Sequence, residues 1–275
     1  MSAWIFPPRS ILLPTDMSGA SAAAFAYARL LKDQFGSVAH VLHAQYFEMP
    51  PYFSSGQLDL LRRELERSRR LAADYLRREA ETALGEGVQV MIREKPPADA
   101  ILEGGRELDV DLILMGTHGR KGAERIWLGS VAERVLRSAD RPVLAVQASW
   151  SPAPIRHVLC PVIPSDAGRT ALAYAARVAQ IAGARLTVLH AAEPGAPPID
   201  CPLVDEATRR NCEVEERVLQ GDAARTILEA ARSLKPDLVV MGAERKRSRF
   251  GEFFSSTTQK VIQSAPPPII IVPRV

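Results

Sequence analysis

The run Met115–Val131, MGTHGRKGAERIWLGSV, decides how this chain is read. Gly119 follows Gly116 after two residues, and Gly129-Ser130 come after nine more. The preceding Val110–Met115 (VDLILM) is a short apolar run, as expected for a strand buried on both faces. The following SVAERVLRSA begins with a cap-type Ser130 and carries Val131, Val135 and Leu136 at helical spacing. The glycines therefore lie on a strand-to-helix connection. A missing Cβ there permits positive φ and the close approach of a ligand. A helix start adds free N–H groups and the positive end of the dipole, which suit a phosphate. Neither G-x-x-x-x-G-K-[ST] nor G-x-G-x-x-G occurs, so this is not a Walker loop or a dinucleotide turn. Spacing alone leaves two readings, a phosphate cradle or a glycine-rich surface loop with a capped helix behind it.

Upstream of this stretch the pattern alternates strand and helix. Ser10–Pro14 reads as a strand stopping at Pro14-Thr15-Asp16, and Ser18 caps an Ala-rich helix that ends near Gly36. Val38–Ala44 is a second strand, followed by a loop rich in Pro, Tyr and Phe. Gln57–Leu84 is a long helix whose arginines alternate with glutamates, the pattern of a solvated face. Val88–Ile92 and Pro97–Leu108 supply a third strand and helix, and Pro142–Val146 a last strand. Apolar strands in the order β-α-β-α-β-α-β-α-β imply a mainly parallel sheet with helices on both faces. Ligands of such sheets sit beyond the carboxyl ends of strands where the strand order switches direction. The ends on offer are Pro14-Thr15-Asp16, Ala44 and Gly116.

Composition excludes several classes. The 275 residues allow two domains of ordinary size, and a net charge of +3 makes a nucleic-acid partner unlikely on charge grounds. Cys160, Cys201 and Cys212 fall in no metal-ligand spacing and are expected as reduced thiols. MSAWIFPPRS lacks the apolar core of a signal peptide, and no run reaches the length of a membrane span. A cytoplasmic protein with no membrane association is expected.

After a linker at Ala148–Pro154, the chain repeats itself. Arg156–Ala191 aligns without gaps onto Arg9–Ala44, and Met241–Val272 onto Met115–Val146. The register drops from 147 to 126 between these blocks, so the second copy lacks 21 residues, all within the long second helix. The expected domains are 1–148 and 155–275, the second with a truncated second helix.

Asp16 after a first strand, G-2x-G-9x-G-[ST] after the fourth and the doubled layout together resemble the universal stress protein family in its tandem two-domain form. The resemblance spans essentially the whole chain. It implies an α/β fold: two Rossmann-like domains, each with a five-stranded parallel sheet of order 3-2-1-4-5 and an ATP site at the switch point. It places Pro14, Thr15 and Asp16 on the adenine and ribose side, with Ala44 against the adenine. Met115, Gly116, His118 and Gly119 then wrap the ribose and phosphates. Gly129, Ser130, Val131 and Ala132 offer backbone N–H and hydroxyl groups to the phosphates, with Mg²⁺ expected on the nucleotide. In single-domain members two copies pair along their last strands, which implies an intramolecular pseudo-dimer here. A further homodimer of whole chains and an unidentified protein partner are left open.

The second copy departs from the motif. Ile163 stands at the place of Asp16, Arg245 at Gly119 and Ser255 at Gly129, while Gly242 and Ser256 remain. A basic stretch, Arg245, Lys246, Arg247 and Arg249, replaces the glycines and reads as a solvated loop, an intramolecular contact or a site for another anion. His43 and His190 occupy equivalent positions in both copies, which favours a structural role. His118 is the histidine placed for a ligand contact, and sequence identifies no partner for His40 or His157. The leading expectation is an ATP-binding stress-response regulatory protein with nucleotide in its first domain and no catalytic residue. The alternative is a slow ATPase or adenylyl-transferring enzyme, with Arg120 and Lys121 as candidate cations. A third possibility, an interaction module with a vestigial pocket, conflicts with the intact first-copy motif.

Overall fold

A computed structural model describes all residues except 1–3, 48–51, 53, 118–127, 193–194, 196–203, 244, 249–250 and 274–275, and gives the backbone alone for 19, 20, 55, 245–248 and 251–254. The first half runs β1 (Ser10–Pro14), α1 (Gly19–Phe35), β2 (Val38–Ala44), α2 (Ser55–Leu84), β3 (Gln89–Arg93), α3 (Pro97–Glu107), β4 (Leu112–Gly116), α4 (Ser130–Ser138) and β5 (Val143–Val146). The second half opens with β6 (His157–Pro161), α5 (Asp166–Ala182), β7 (Arg185–Ala192), α6 (Glu206–Asn211), β8 (Val214–Gln220) and α7 (Ala223–Leu234). It closes with β9 (Leu238–Gly242), β10 (Arg245–Ser248), β11 (Gly251–Phe254), α8 (Ser256–Ser264) and β12 (Ile269–Val272).

Ten of the strands form one sheet in the order β3-β2-β1-β4-β5-β12-β9-β6-β7-β8, and β10 and β11 form a second, two-stranded one. Each half contributes five strands in parallel, in the order 3-2-1-4-5 of its own strands. Between the halves, β5 and β12 pair antiparallel, with Ile270 opposite Leu144. Both strands are buried along their whole length, the consequence of four consecutive apolar residues in each. Residues of both halves also share the packing on each sheet face. On one face Tyr27, Leu31, Tyr174 and Val178 of α1 and α5 join a single core, and on the other Val135, Leu136, Val261 and Ile262 of α4 and α8 do so. Phe6 is buried at this junction, its ring edge-on to Phe35 of the first half and Tyr174 of the second.

The halves share details that neither strand nor helix signals reveal. Asp111 accepts from the backbone N–H of Arg9 and Ser10 at 2.8 and 3.2 Å, and Asp237 accepts likewise from Arg156 and His157 at 2.8 and 3.0 Å. Each carboxylate ties the start of its half's first strand to the residue just before the fourth.

The halves diverge at the second helix. α2 is 30 residues long and starts at a capping box, in which the Ser54 hydroxyl accepts from Gln57 N–H and the Gln57 side chain accepts from Ser54 N–H. Its arginines Arg62 and Arg77 are well exposed, as a solvated face requires. Its counterpart α6 has six residues. The basic stretch of the second half, read as a loop, is instead a strand, since β10 pairs antiparallel with β11. Arg249 of that stretch lies outside the described residues.

Two histidines for which sequence showed no partner have one. His40 Nδ1 lies 3.1 Å from Gln89 Oε1, across the β2–β3 pairing. His157 Nε2 lies 2.8 Å from the buried Thr187 hydroxyl, across β6–β7, while Arg185 donates to its Nδ1 at 3.2 Å. Burial, reinforced by the Arg185 charge, holds the His157 pKa below its usual value. Cys212 is a free thiol and Cys160 a buried one, whose pKa burial pushes well above the ordinary thiol value. Cys201 lies outside the described residues.

Candidate functional site

β1 pairs with β2 on one side and β4 on the other, so the strand order reverses at its carboxyl end. That end, Pro14-Thr15-Asp16, stands beside the end of β4 at Met115-Gly116. Thr15 extends the β1–β2 pairing by donating its N–H to the Leu42 carbonyl at 2.9 Å, and its side chain is buried. Ala44 closes β2 one strand away, half-buried opposite Arg93 of β3.

Asp16 is held from the helix side. Its Oδ1 accepts from Ser18 N–H at 3.0 Å, from the Ser18 hydroxyl at 2.5 Å and from the Ser21 hydroxyl at 3.0 Å. Ser18 is thus the N-cap of α1 by position, but its hydroxyl makes no capping bond because Asp16 has recruited it. Between them Met17 has φ +60, a left-handed conformation that costs a non-glycine residue about 1–2 kcal/mol. The Thr15 hydroxyl accepts from Met17 N–H at 3.0 Å and fixes that turn. The D-x-S-x-x-S spacing of Asp16, Ser18 and Ser21 is the signal that could have revealed this arrangement. His43 Nδ1–H donates to the Thr15 carbonyl at 2.8 Å, and His190 makes the same bond to Val162 at 3.0 Å. A bond made in both copies fits the structural role.

The expected phosphate side lies where the glycine loop leaves and returns. Thr117 N–H donates to the Val146 carbonyl at 3.0 Å, and Gly129 N–H donates to the Thr117 carbonyl at 2.9 Å. These bonds pin the start of α4 beside the end of β4, whatever course residues 118–127 take. Gly129, rather than Ser130, is the N-cap, and Ser130 is the first helical residue. Gly129 has φ −63, and Gly116 is not among the described glycines with positive φ. A left-handed backbone is therefore not what calls for glycine at either position. With glycine as cap, α4 has no capping oxygen from its own N-cap side chain, and Ser130, Val131 and Ala132 supply its first-turn N–H groups. Ser130 is exposed, Val131 half-buried, and Ala132 buried under the helix. His118 and Gly119, together with the candidate cations Arg120 and Lys121, lie outside the described residues.

At the equivalent place the second half has a capping side chain. Ser255 caps α8, its hydroxyl accepting from Thr258 N–H at 3.2 Å and meeting the Thr258 hydroxyl at 2.9 Å. Pro164 stands where the first half has Met17, and its ring locks φ near −65°, so the Met17 turn is unavailable. Ile163 is 40% exposed and offers no side-chain acceptor. Gly242, the retained glycine, has a purely internal reason. A Cβ there would come within 2.4 Å of the Ala167 carbonyl oxygen, because the first turn of α5 lies directly on the strand end.

These features define a doubly wound α/β protein, built twice, with a helix N-terminus left open at one switch point. A model of the universal stress protein family matches residues 8–147 and again 154–273. The chain belongs to the universal stress protein family and carries two copies of its domain. It is 32% identical over 142 residues to a universal stress protein of Methanocaldococcus jannaschii, an alignment covering 50% of this chain and 82% of the relative. A universal stress protein of Mycolicibacterium smegmatis is 27% identical over 290 residues, covering 95% of this chain and 96% of that one. The crystal structure of a universal stress protein from Archaeoglobus fulgidus superposes with a TM-score of 0.74 at 22% identity, covering 98% of this chain and 100% of its own. No helix among the described residues is long and apolar enough to cross a membrane.

Proposed function

We propose that this chain is a cytoplasmic ATP-binding regulatory protein of the stress response that holds one nucleotide, in its first half. The observation carrying this reading is the glycine-capped start of α4, fixed beside Gly116 and the Asp16 turn at the switch point of the sheet. The first-turn N–H groups of an uncapped helix start and its dipole suit a polyphosphate. Asp16, oriented through Oδ1 by Ser18 and Ser21, is the acceptor for a ribose hydroxyl or base amino group. Thr15 and Ala44 supply the flanking surface.

Among the described residues no group of three or more His, Cys, Asp or Glu is placed to hold a metal ion. A donor set of this kind fits Mg²⁺ carried in on the phosphates, where it neutralises their charge, rather than a protein cage. We assign the protein no dedicated catalysis, since Asp16 is committed to the α1 turn and is poorly placed to orient a water. Release of ADP at a stoichiometric rate over minutes would reverse that assignment in favour of an ATPase, and transfer of adenylate to an acceptor would favour the adenylylating alternative. The antiparallel β5–β12 pairing supports a second element of the proposal, that the two halves act as a pseudo-dimer within one chain.

Calorimetric titration with ATP and Mg²⁺ tests the central claim. The expected stoichiometry is near one per chain. No binding overturns the nucleotide reading, and a value near two that survives moderate salt overturns the assignment to one half.

A further inference from the structure

One face of α2 packs on α1 and β3, where Leu76, Ala80 and Leu84 are buried. At 3.6 residues per turn, Leu60, Glu64, Arg67, Leu71 and Tyr75 share a stripe on the opposite side of the helix. Leu60, Leu71 and Tyr75 are 57%, 63% and 47% exposed, so three large apolar side chains stand in solvent along about 22 Å of one helix. Between them Glu64 and Arg67 are exposed, and among the described residues neither has an ion pair or a hydrogen bond. Gly56 lies one turn before Leu60. A Cβ there would meet no described atom within 4 Å and its φ is not positive, so the chain itself gives no reason for so poor a helix former.

The order of these residues is self-complementary. When two copies of one helix cross antiparallel about a two-fold axis, residues whose numbers share a constant sum stand opposite one another. With the axis between Leu65 and Glu66, Leu60 faces Leu71 of the second copy, Glu64 faces its Arg67, and Tyr75 faces its Gly56. Each contact is made twice. Both charges then meet their opposites, the leucines meet each other, and the missing side chain of Gly56 leaves room for a tyrosine ring. Moving the axis by two residues sets Leu71 against Glu64 instead, so the pattern specifies one register.

We infer that the outer face of α2 is a dimerisation surface, on which a second copy of this chain packs its own α2 antiparallel. The stripe carries one charge of each sign, which a second copy matches and which an acidic partner or an anionic membrane does not. Such a contact is isologous and closes at two chains. It occurs once per chain, because α6, with six residues, supplies no equivalent helix in the second half. No residue is shared with the proposed nucleotide site, so either reading can fail without the other.

Sedimentation equilibrium of the full chain tests the inference. A monomer–dimer equilibrium is expected, with a Kd of about 1–100 µM. Leu71→Glu buries a carboxylate against Leu60 of the second copy and is expected to raise that Kd by at least about tenfold. Glu64→Arg opposes two arginines at two symmetric places and is expected to do the same, whereas the swap Glu64→Arg with Arg67→Glu restores the parent Kd. Gly56→Gln improves the helix but fills the space for Tyr75, so dimerisation is expected to weaken about fivefold with the circular-dichroism spectrum retained. ATP affinity stays at the parent value in every variant. A chain that is monomeric up to about 1 mM overturns the inference, whether or not it binds phosphatidylglycerol vesicles or another protein. So does a dimer indifferent to Leu71→Glu and Glu64→Arg, or a charge reversal that the swap fails to rescue.

Discussion

The two helices that start at the glycine motif, α4 and α8, differ by one decisive residue at the cap. Gly129 gives α4 no capping oxygen, whereas the Ser255 hydroxyl takes one first-turn N–H of α8, that of Thr258. A capping side chain occupies one of the free N–H groups at a helix start and the space in front of it, and a glycine cap leaves both. The same trade appears one loop away. Asp16 and the strained Met17 turn make a polar rim in the first half, while Ile163 and Pro164 make a relaxed, ligand-poor turn in the second.

The sharpest way to break this comparison is Gly129→Val. A branched side chain at the cap fills the space above the first turn, and ATP binding measured by calorimetry is expected to vanish with the circular-dichroism spectrum unchanged. Parent-like affinity would mean that the nucleotide sits elsewhere. Met17→Pro imports the turn of the second half and is expected to weaken ATP by at least about tenfold, because proline cannot take the φ of +60 that presents Asp16. Asp16→Ala removes the acceptor itself, with an expected loss of about 1–3 kcal/mol of binding energy. If ATP affinity holds in that variant, Asp16 serves only the α1 turn.

Smaller effects sharpen the contrast from the other side. Ser255→Ala should cost about 1 kcal/mol in urea denaturation and leave ATP affinity untouched, since that cap is structural alone. A fall in ATP affinity would show that the second half reaches the site. The smallest effect concerns His157, the counterpart of Ser10. Its pKa is lowered on folding, so the unfolded chain takes up the proton more readily; stability is complete above the unfolded value of about 6.5 and declines as pH falls toward the folded value. His157→Ser is expected to flatten the stability slope just below that pH, and an unchanged slope would assign the acid sensitivity to other groups.

Much of this fold is legible in the residues, because each element carries its own local pattern. β2 begins and ends at Val38 and Ala44 as its apolar run predicts, and the duplication follows from two ungapped alignments. What escapes is set by contacts distant in sequence. The partner of His157 lies 30 residues away on the neighbouring strand, and only the register of β6 against β7 brings Thr187 to it. The β10–β11 hairpin escapes because each strand has only four residues and RKRS is polar throughout. At the site, the one-residue shift of the cap from Ser130 to Gly129 changes the meaning of the motif. Serine is the better cap by preference, but the backbone geometry set by the Gly129–Thr117 bond decides which residue takes the position.

The antiparallel seam between β5 and β12 also settles how this molecule responds to dilution. The last strand of the first half and the first strand of the second are joined by only ten residues, 147–156. Such a tether keeps the two halves at an effective concentration on the order of millimolar, however little protein a cell contains. Subunits that must find one another can dissociate, exchange or mix with relatives; halves joined in this way cannot. The second half can therefore carry Arg245 and Ser255 in place of two of the motif glycines and remain indispensable, because the four isoleucine and valine residues of β12 still cover the edge of β5 that would otherwise be open.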